Sequence, residues 1–223
     1  MKNIFILLWI ILILNSCSGG SNDLVRAGLK GEVYSILEHQ FSARYREGEW
    51  EAGSPSSFGH RIINYDRDGL YLESIILNER GDTAGITRSR RENGELVEEI
   101  LFSGYSNGTS KTLFERISKE QVNFELWDGD KLFFEGANFY DSKGRIERQH
   151  TVENDREVIN YFEYNKGLLV KNYQEDLSGI RIYTQQYEYK SFDEKGNWTK
   201  KLVYVGEDKI TPRLVITRIY SYY

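Results

Sequence analysis

The sequence predicts an all-β fold: an antiparallel up-and-down meander of about 13–14 hairpin-linked strands, coiled strongly or closed into a barrel. Three observations predict it. The first is a recurring turn. Tyr140-Asp141-Ser142-Lys143-Gly144 places an Asp and a Gly between two alternating runs. Asp caps the bend with its side chain, and Gly takes the left-handed conformation that a Cβ penalises. Asp66–Gly69, Asn78–Gly81, Asp176–Gly179 and Asp193–Gly196 share the Asp/Asn-x-x-Gly form, and Asn165-Lys166-Gly167, Asn93-Gly94, Asn107-Gly108 and Asp128-Gly129 are shorter versions. The second observation is spacing. Turn glycines fall at 69, 81, 94, 108, 129, 144, 167, 179, 196 and 206. Ser118-Lys119-Glu120 and Asn154-Asp155-Arg156 split the two widest gaps. The resulting period of about 12 leaves strands of about 8–10 residues and no room for intervening helices. The third is composition: 16 Tyr and 11 Phe against 2 Pro favour strands.

The elements follow in order. Met1-Lys2-Asn3 is a short basic start, and Ile4–Leu14 is an apolar run of signal-peptide length, short for a bilayer span. Leu14-Asn15-Ser16-Cys17 then resembles the lipobox of bacterial lipoproteins. That resemblance implies cleavage after residue 16 and acylation of Cys17, the only cysteine in the chain. More than one acyl chain makes a stable anchor. The domain reading is therefore 1–16 signal peptide, 17–31 lipidated cysteine and flexible tether, and 32–223 repeat β-hairpin domain. Ser18–Asn22 has the composition of a tether. Leu24–Gly31 reads equally as a helical turn or as the entry to the first strand. Glu32–Tyr45 reads as a long strand, Arg46–Ser57 (with Gly48, Gly53 and Pro55) as a long loop holding Trp50, and Gly59–Tyr65 as the next strand.

From there the strands alternate unevenly. Ile180, Ile182 and Thr184 oppose Arg181, Tyr183 and Gln185; Leu214, Ile216 and Arg218 oppose Val215, Thr217 and Ile219. A single sheet with one wet face alternates more cleanly, so mixed faces predict a sheet that coils or closes on a filled interior.

Tyr140-Asp141-x-x-Gly144 with Arg145, and Tyr65-Asp66-x-x-Gly69, resemble the tyrosine-aspartate (RHS-type) repeats of bacterial envelope and secreted proteins. Asp193–Lys201, Thr211-Pro212 and Thr217–Tyr223 resemble the C-terminal end of uncharacterised repeat lipoproteins of Gram-negative and spirochaete-like bacteria. Leu29–Val33 resembles the start of the same domain, so the likeness spans residues 29–223. Large RHS proteins form toxin-enclosing shells. This chain is too short for that, and the function does not transfer.

The chemistry is read mostly by exclusion. The net charge is −5, and removing residues 1–16 removes one more cation, Lys2. No nucleic-acid footprint is present. His39, His60 and His150 are far apart with no neighbour at metal-ligand spacing, so no metal and no cofactor are expected. Ser-hydrolase, P-loop and dinucleotide motifs are missing. Glu98-Glu99 reads as one residue on each face of a strand. The sequons at Asn107 and Asn197 read as turns. Trp198 and the tyrosines read first as cross-strand packing pairs and second as a platform for sugars or peptides. His150 reads as an ordinary strand residue within reach of Glu157 and Asn160. A concave pocket gathering His150 with two carboxylates would argue for catalysis.

Two functions compete. One is a non-catalytic, outer-membrane-anchored binding or scaffold module that meets an envelope protein or glycan through its sheet surface. The other is a periplasmic carrier of a small apolar ligand inside a closed barrel. An open or filled sheet favours the first, a closed wall around an empty apolar interior the second.

Overall fold

A computed structural model describes residues 22–57, 59–104, 108–154 and 156–223. The signal-peptide and lipidation readings at 1–16 and Cys17 lie outside the described residues. One short helix, α1 (Asp23–Arg26), precedes β1 (Val33–Arg46), β2 (Glu49–Pro55), β3 (His60–Tyr65), β4 (Tyr71–Leu77), β5 (Thr83–Glu92), β6 (Glu95–Ser103), β7 (Thr109–Arg116) and β8 (Gln121–Asp128). Then come β9 (Lys131–Tyr140), β10 (Ile146–Glu153), β11 (Arg156–Asn165), β12 (Leu168–Asp176), β13 (Arg181–Phe192), β14 (Trp198–Val205) and β15 (Leu214–Tyr222).

Every strand from β3 to β15 pairs antiparallel with its sequence neighbour, and β15 pairs with β1 over Val33–Ser42. That last ladder closes the sheet, so β1 and β3–β15 make a 14-stranded up-and-down barrel. The predicted meander is thus found, in its closed form. Residues 46–57 are not a loop. Glu47 and Gly48, both at positive φ, turn the chain into β2, which pairs with β1 from Arg46 to Phe41. Two residues at positive φ make a tight hairpin turn, and the sequence reading of this stretch missed it. The hairpin folds over the outside of the barrel, where Ala43, Trp50 and Ala52 pack on Leu202, Tyr204 and Val215.

The Asp/Asn-x-x-Gly turns share one geometry. In the 141–145 turn, Asp141 Oδ1 accepts from the Lys143 and Arg145 N–H groups, and Gly144 N–H donates to Asp141 O. Asn78, Asp176 and Asp193 repeat the scheme with their own Oδ1 atoms. Gly144 and Gly196 lie at φ +74 and +83, as the turn reading requires.

Strand parity places alternate turns at opposite ends. The 66–69, 93–94, 141–144, 166–167 and 193–196 turns share one end, and the N-terminal segment crosses it. Asn22 Nδ2 donates to Asp68 O, Leu24 N–H to Gly69 O, and Lys30 N–H to Asn197 Oδ1. Asp23, Leu24, Arg26 and Leu29 are buried. The segment is a plug, so residues 22–31, expected to be tether, belong to the folded structure. The α1 turn is capped by Asn22, whose Oδ1 accepts from Val25 N–H.

Candidate functional site

Alternation along the strands sends one set of side chains into the barrel. Leu96, Phe114, Val122, Phe124, Leu126, Phe134, Ile146 and Phe162 fill one half of the interior. Leu24, Leu29, Val33, Ile36, Ile63, Tyr65 and Tyr71 pack around the plug. The interior also holds hydrogen-bonded amides: Gln149 Nε2 donates to Asn138 Oδ1 at 2.8 Å, and Gln174 Nε2 to Asn160 Oδ1 at 3.3 Å.

Beside the plug lies a recess of about 200 Å³. Its walls come from the plug and from strands far apart in sequence: Ala27 of the plug segment, Glu38 and Arg61, Tyr140, Tyr164, Tyr187 and Tyr189, Trp198 and Lys201, and Ile216 and Arg218. Glu38 is buried between two arginines. Arg61 donates to its Oε1 at 2.8 Å and Arg218 to its Oε2 at 2.7 Å. Burial alone would raise the Glu38 carboxyl, but the two guanidiniums outweigh it and hold the group down at about 2. Lys201 extends from β14 over the rings of Trp198, 4.5 Å from the centroid, and Tyr187, 5.0 Å away. Burial, with Arg218 and Arg61 against the pull of Glu38, lowers its ammonium to about 7. Arg218 also stacks over Trp198 at 4.1 Å.

A second charged group locks the plug. Asp23 is fully buried; it accepts from Tyr71 N–H at 2.8 Å and from Arg26 at 3.2 Å, and pairs with Arg91. Glu99 lies nearby with its Oε1 unpartnered among the described residues, and burial pushes its carboxyl up to about 8.

The sequence-derived candidates fall as follows. Glu98 faces out and pairs with Arg90 at 2.8 Å while Glu99 faces in, as read. His39 and His60, far apart in sequence, meet across β1 and β3 with their Nδ1 atoms 3.1 Å apart. His60 Nε2–H donates to Ser56 O, so His60 Nδ1 is the acceptor for His39. No group of three metal-ligating side chains occurs among the described residues. Asn197 is buried in bonds to Lys30 and Tyr222, while Asn107 lies outside the described residues. Trp198 is buried and faces the lumen instead of forming an outer platform. His150 bonds Glu157 at 2.9 Å. It also lines a shallow outer-wall hollow with Glu115, Glu125 and Glu135, so the gathering set as the mark of catalysis is present in composition. The His150 and Glu157 side chains are 34% and 38% exposed.

Reading the sequence missed Glu38, Arg61, Lys201 and Arg218. The signal was a charge at an inward position of an otherwise apolar face: Ile36 then Glu38, Lys201 then Val203, Ile216 then Arg218.

The outer wall carries charge pairs on several strands beside an apolar row, Ile219–Leu37–Ile62–Ile75–Ile86–Phe102, that crosses β15, β1 and β3–β6. Glu73 faces Arg88, Arg90 faces Glu98, Glu125 faces Glu135 and Glu163 faces Lys171.

No protein-family model matches the chain. No curated protein matches it either. Among solved structures it is similar to a porin-like protein from Bacteroides vulgatus, with a TM-score of 0.50 and 12% identity over 85% of this chain and 98% of that one. The likeness is one of fold: a closed antiparallel β-barrel.

Proposed function

We propose that this is a lipid-anchored, non-catalytic barrel protein of the bacterial outer membrane that holds a small ligand in its lumen. One observation carries the reading: the wall is closed, and a recess with convergent polar groups opens inside it. The lining is too charged for a purely apolar ligand, which shifts the carrier reading toward a polar one. The outward-facing charge pairs support a barrel standing in water on its anchor. Arg or Lys at the bilayer midplane of a barrel costs about 2–4 kcal/mol each. The shared turn geometry supports the resemblance to hairpin-repeat lipoproteins.

The test is a small-molecule screen by thermal shift on the mature chain, repeated with Ala27→Trp. Ala27 is exposed on the plug and lines the recess, so the indole blocks it without disturbing the core. Ligands that raise the wild-type Tm and fail with the variant support lumenal binding. Hits that act equally on both refute it.

A further inference from the structure

We propose that the recess binds a small organic monoanion, its carboxylate on Lys201 and its flat body against Tyr187, Tyr189 and Trp198. The inference rests on the lumenal reading above and names the ligand class.

Charge is the first argument. Glu38 is the one acid in the lining, and Arg61, Arg218 and Lys201 surround it. The arginines occupy one oxygen each. Arg26 and Arg145, at the rim, pair with Asp23 and Asp141. Lys201 is left with ring faces and no carboxylate hydrogen bond among the described residues. Three basic groups around one carboxylate leave an excess of positive charge in a partly buried site, where a second anion interacts more strongly than in open water. Burial is the main cause that depresses the Lys201 ammonium, and a carboxylate bound beside it would raise it again.

Size and shape are the second argument. An apolar cavity of about 150 Å³ accepts benzene. A recess of about 200 Å³ suits a ring bearing one small charged group. Tyr187, Tyr189, Trp198 and Ile216 give that ring flat and aliphatic walls, and buried aromatics favour stacked or edge contacts.

The experiment is calorimetric titration of the mature chain with three isosteres: benzoate, benzyl alcohol and benzylamine. Benzoate binds, benzyl alcohol binds about tenfold more weakly or less well still, and benzylamine does not bind. Lys201→Met lowers benzoate affinity about thirtyfold or more and leaves benzyl alcohol unchanged, while Lys201→Arg retains benzoate. Should Lys201→Met fail to fold, the wild-type isostere series and Lys201→Arg decide. Equal or tighter binding of the neutral or cationic isostere overturns the anion class while leaving lumenal binding intact. Absence of benzoate binding overturns it too, and the lumenal reading then stands or falls on the Ala27→Trp screen.

Discussion

Glu38 on β1 and Arg218 on β15 meet at 2.7 Å across the seam that closes the barrel, 180 residues apart in sequence. The pair sits in the ladder where Glu38 opposes Arg218 on one side and Arg61 on the other. Glu38 therefore links three strands at once. Glu38→Gln leaves three cations without their carboxylate and is expected to destabilise by about 3–5 kcal/mol, as breaking a buried pair does. Combining it with Arg218→Met should cost less than the sum of the single changes, because the two share one network. The carboxyl is depressed to about 2, so its contribution is present above its ordinary pKa of 4.5 and is lost as pH falls from there toward 2. Chemical denaturation across that window, wild type against Glu38→Gln, reads both effects. Parallel curves would mean that Glu38 does not link folding to pH.

Glu99 runs the other way. Its carboxyl is raised to about 8, so the folded barrel holds the proton more tightly than the unfolded chain does. Stability tied to this group is full below pH 4.5 and falls as pH rises to 8. Glu99→Gln removes that loss and is expected to gain about 1–3 kcal/mol at pH 8, with little gain at pH 4. Tm against pH for both proteins checks it. A variant less stable than wild type at pH 8 would show that Glu99 is ionised and bound to Arg91 there.

Gly144→Val and Gly196→Val should each destabilise by at least about 1 kcal/mol, since a β-branched residue is strained at positive φ. At Gly144 an added Cβ meets only Arg26 at 3.5 Å, an ordinary contact, so the cost there is conformational. Gly144→Asn, which tolerates the left-handed region, should therefore cost clearly less. Equal losses for Val and Asn would assign the effect to crowding.

The turns were legible because their chemistry is local: Asp or Asn accepts from N–H groups two and four residues on, and the pattern sits in five consecutive letters. Closure was legible only as mixed strand faces, since pairing Glu38 with Arg218 depends on how every hairpin between them adds its twist. β2 was hidden because Gly53 and Pro55 read as breakers. Pro55 ends the strand, and Gly53 gives room against Ser42, 2.7 Å from where its Cβ would lie. The plug was hidden for another reason. Asp23 and Arg26 look like solvated charges until Arg91 and Tyr71 are placed beside them. The recess shares that fate: Glu38, Arg61, Lys201 and Arg218 lie on four different strands.

His150→Ala tests the non-catalytic reading directly. The His150–Glu157 pair is more than a third exposed on average and lies on the open outer wall. Such surface pairs contribute about 0–1 kcal/mol, so the variant should fold with a nearly unchanged Tm. Wild type and variant should both lack hydrolytic activity on envelope glycans, peptides and esters. An activity present in wild type and abolished by His150→Ala, with the fold intact, would make the hollow around Glu115, Glu125 and Glu135 an active site.

Cys17→Ala tests the anchor, and the plug gives that test a geometric second half. Cys17 lies five positions before Asn22, and Asn22 is fixed to the 66–69 turn through its bond to Asp68 O. Five residues span at most about 18 Å when fully extended. A lipid on Cys17 therefore holds the plugged end against the membrane and points the opposite end, with its 176–179 turn, away from it. Cys17→Ala should leave the protein unprocessed or release it from the membrane fraction; equal membrane association and equal mass shift in both proteins would sink the anchor. In the lipidated protein, Cys17 is consumed by acylation, so a cysteine introduced at Lys195 or at Ser178 is the only free thiol to label. A fluorophore at position 195, on the plugged end, should be quenched by nitroxide lipids more strongly than one at 178. Equal quenching at the two sites would show a barrel lying on its side, and stronger quenching at 178 would invert the orientation.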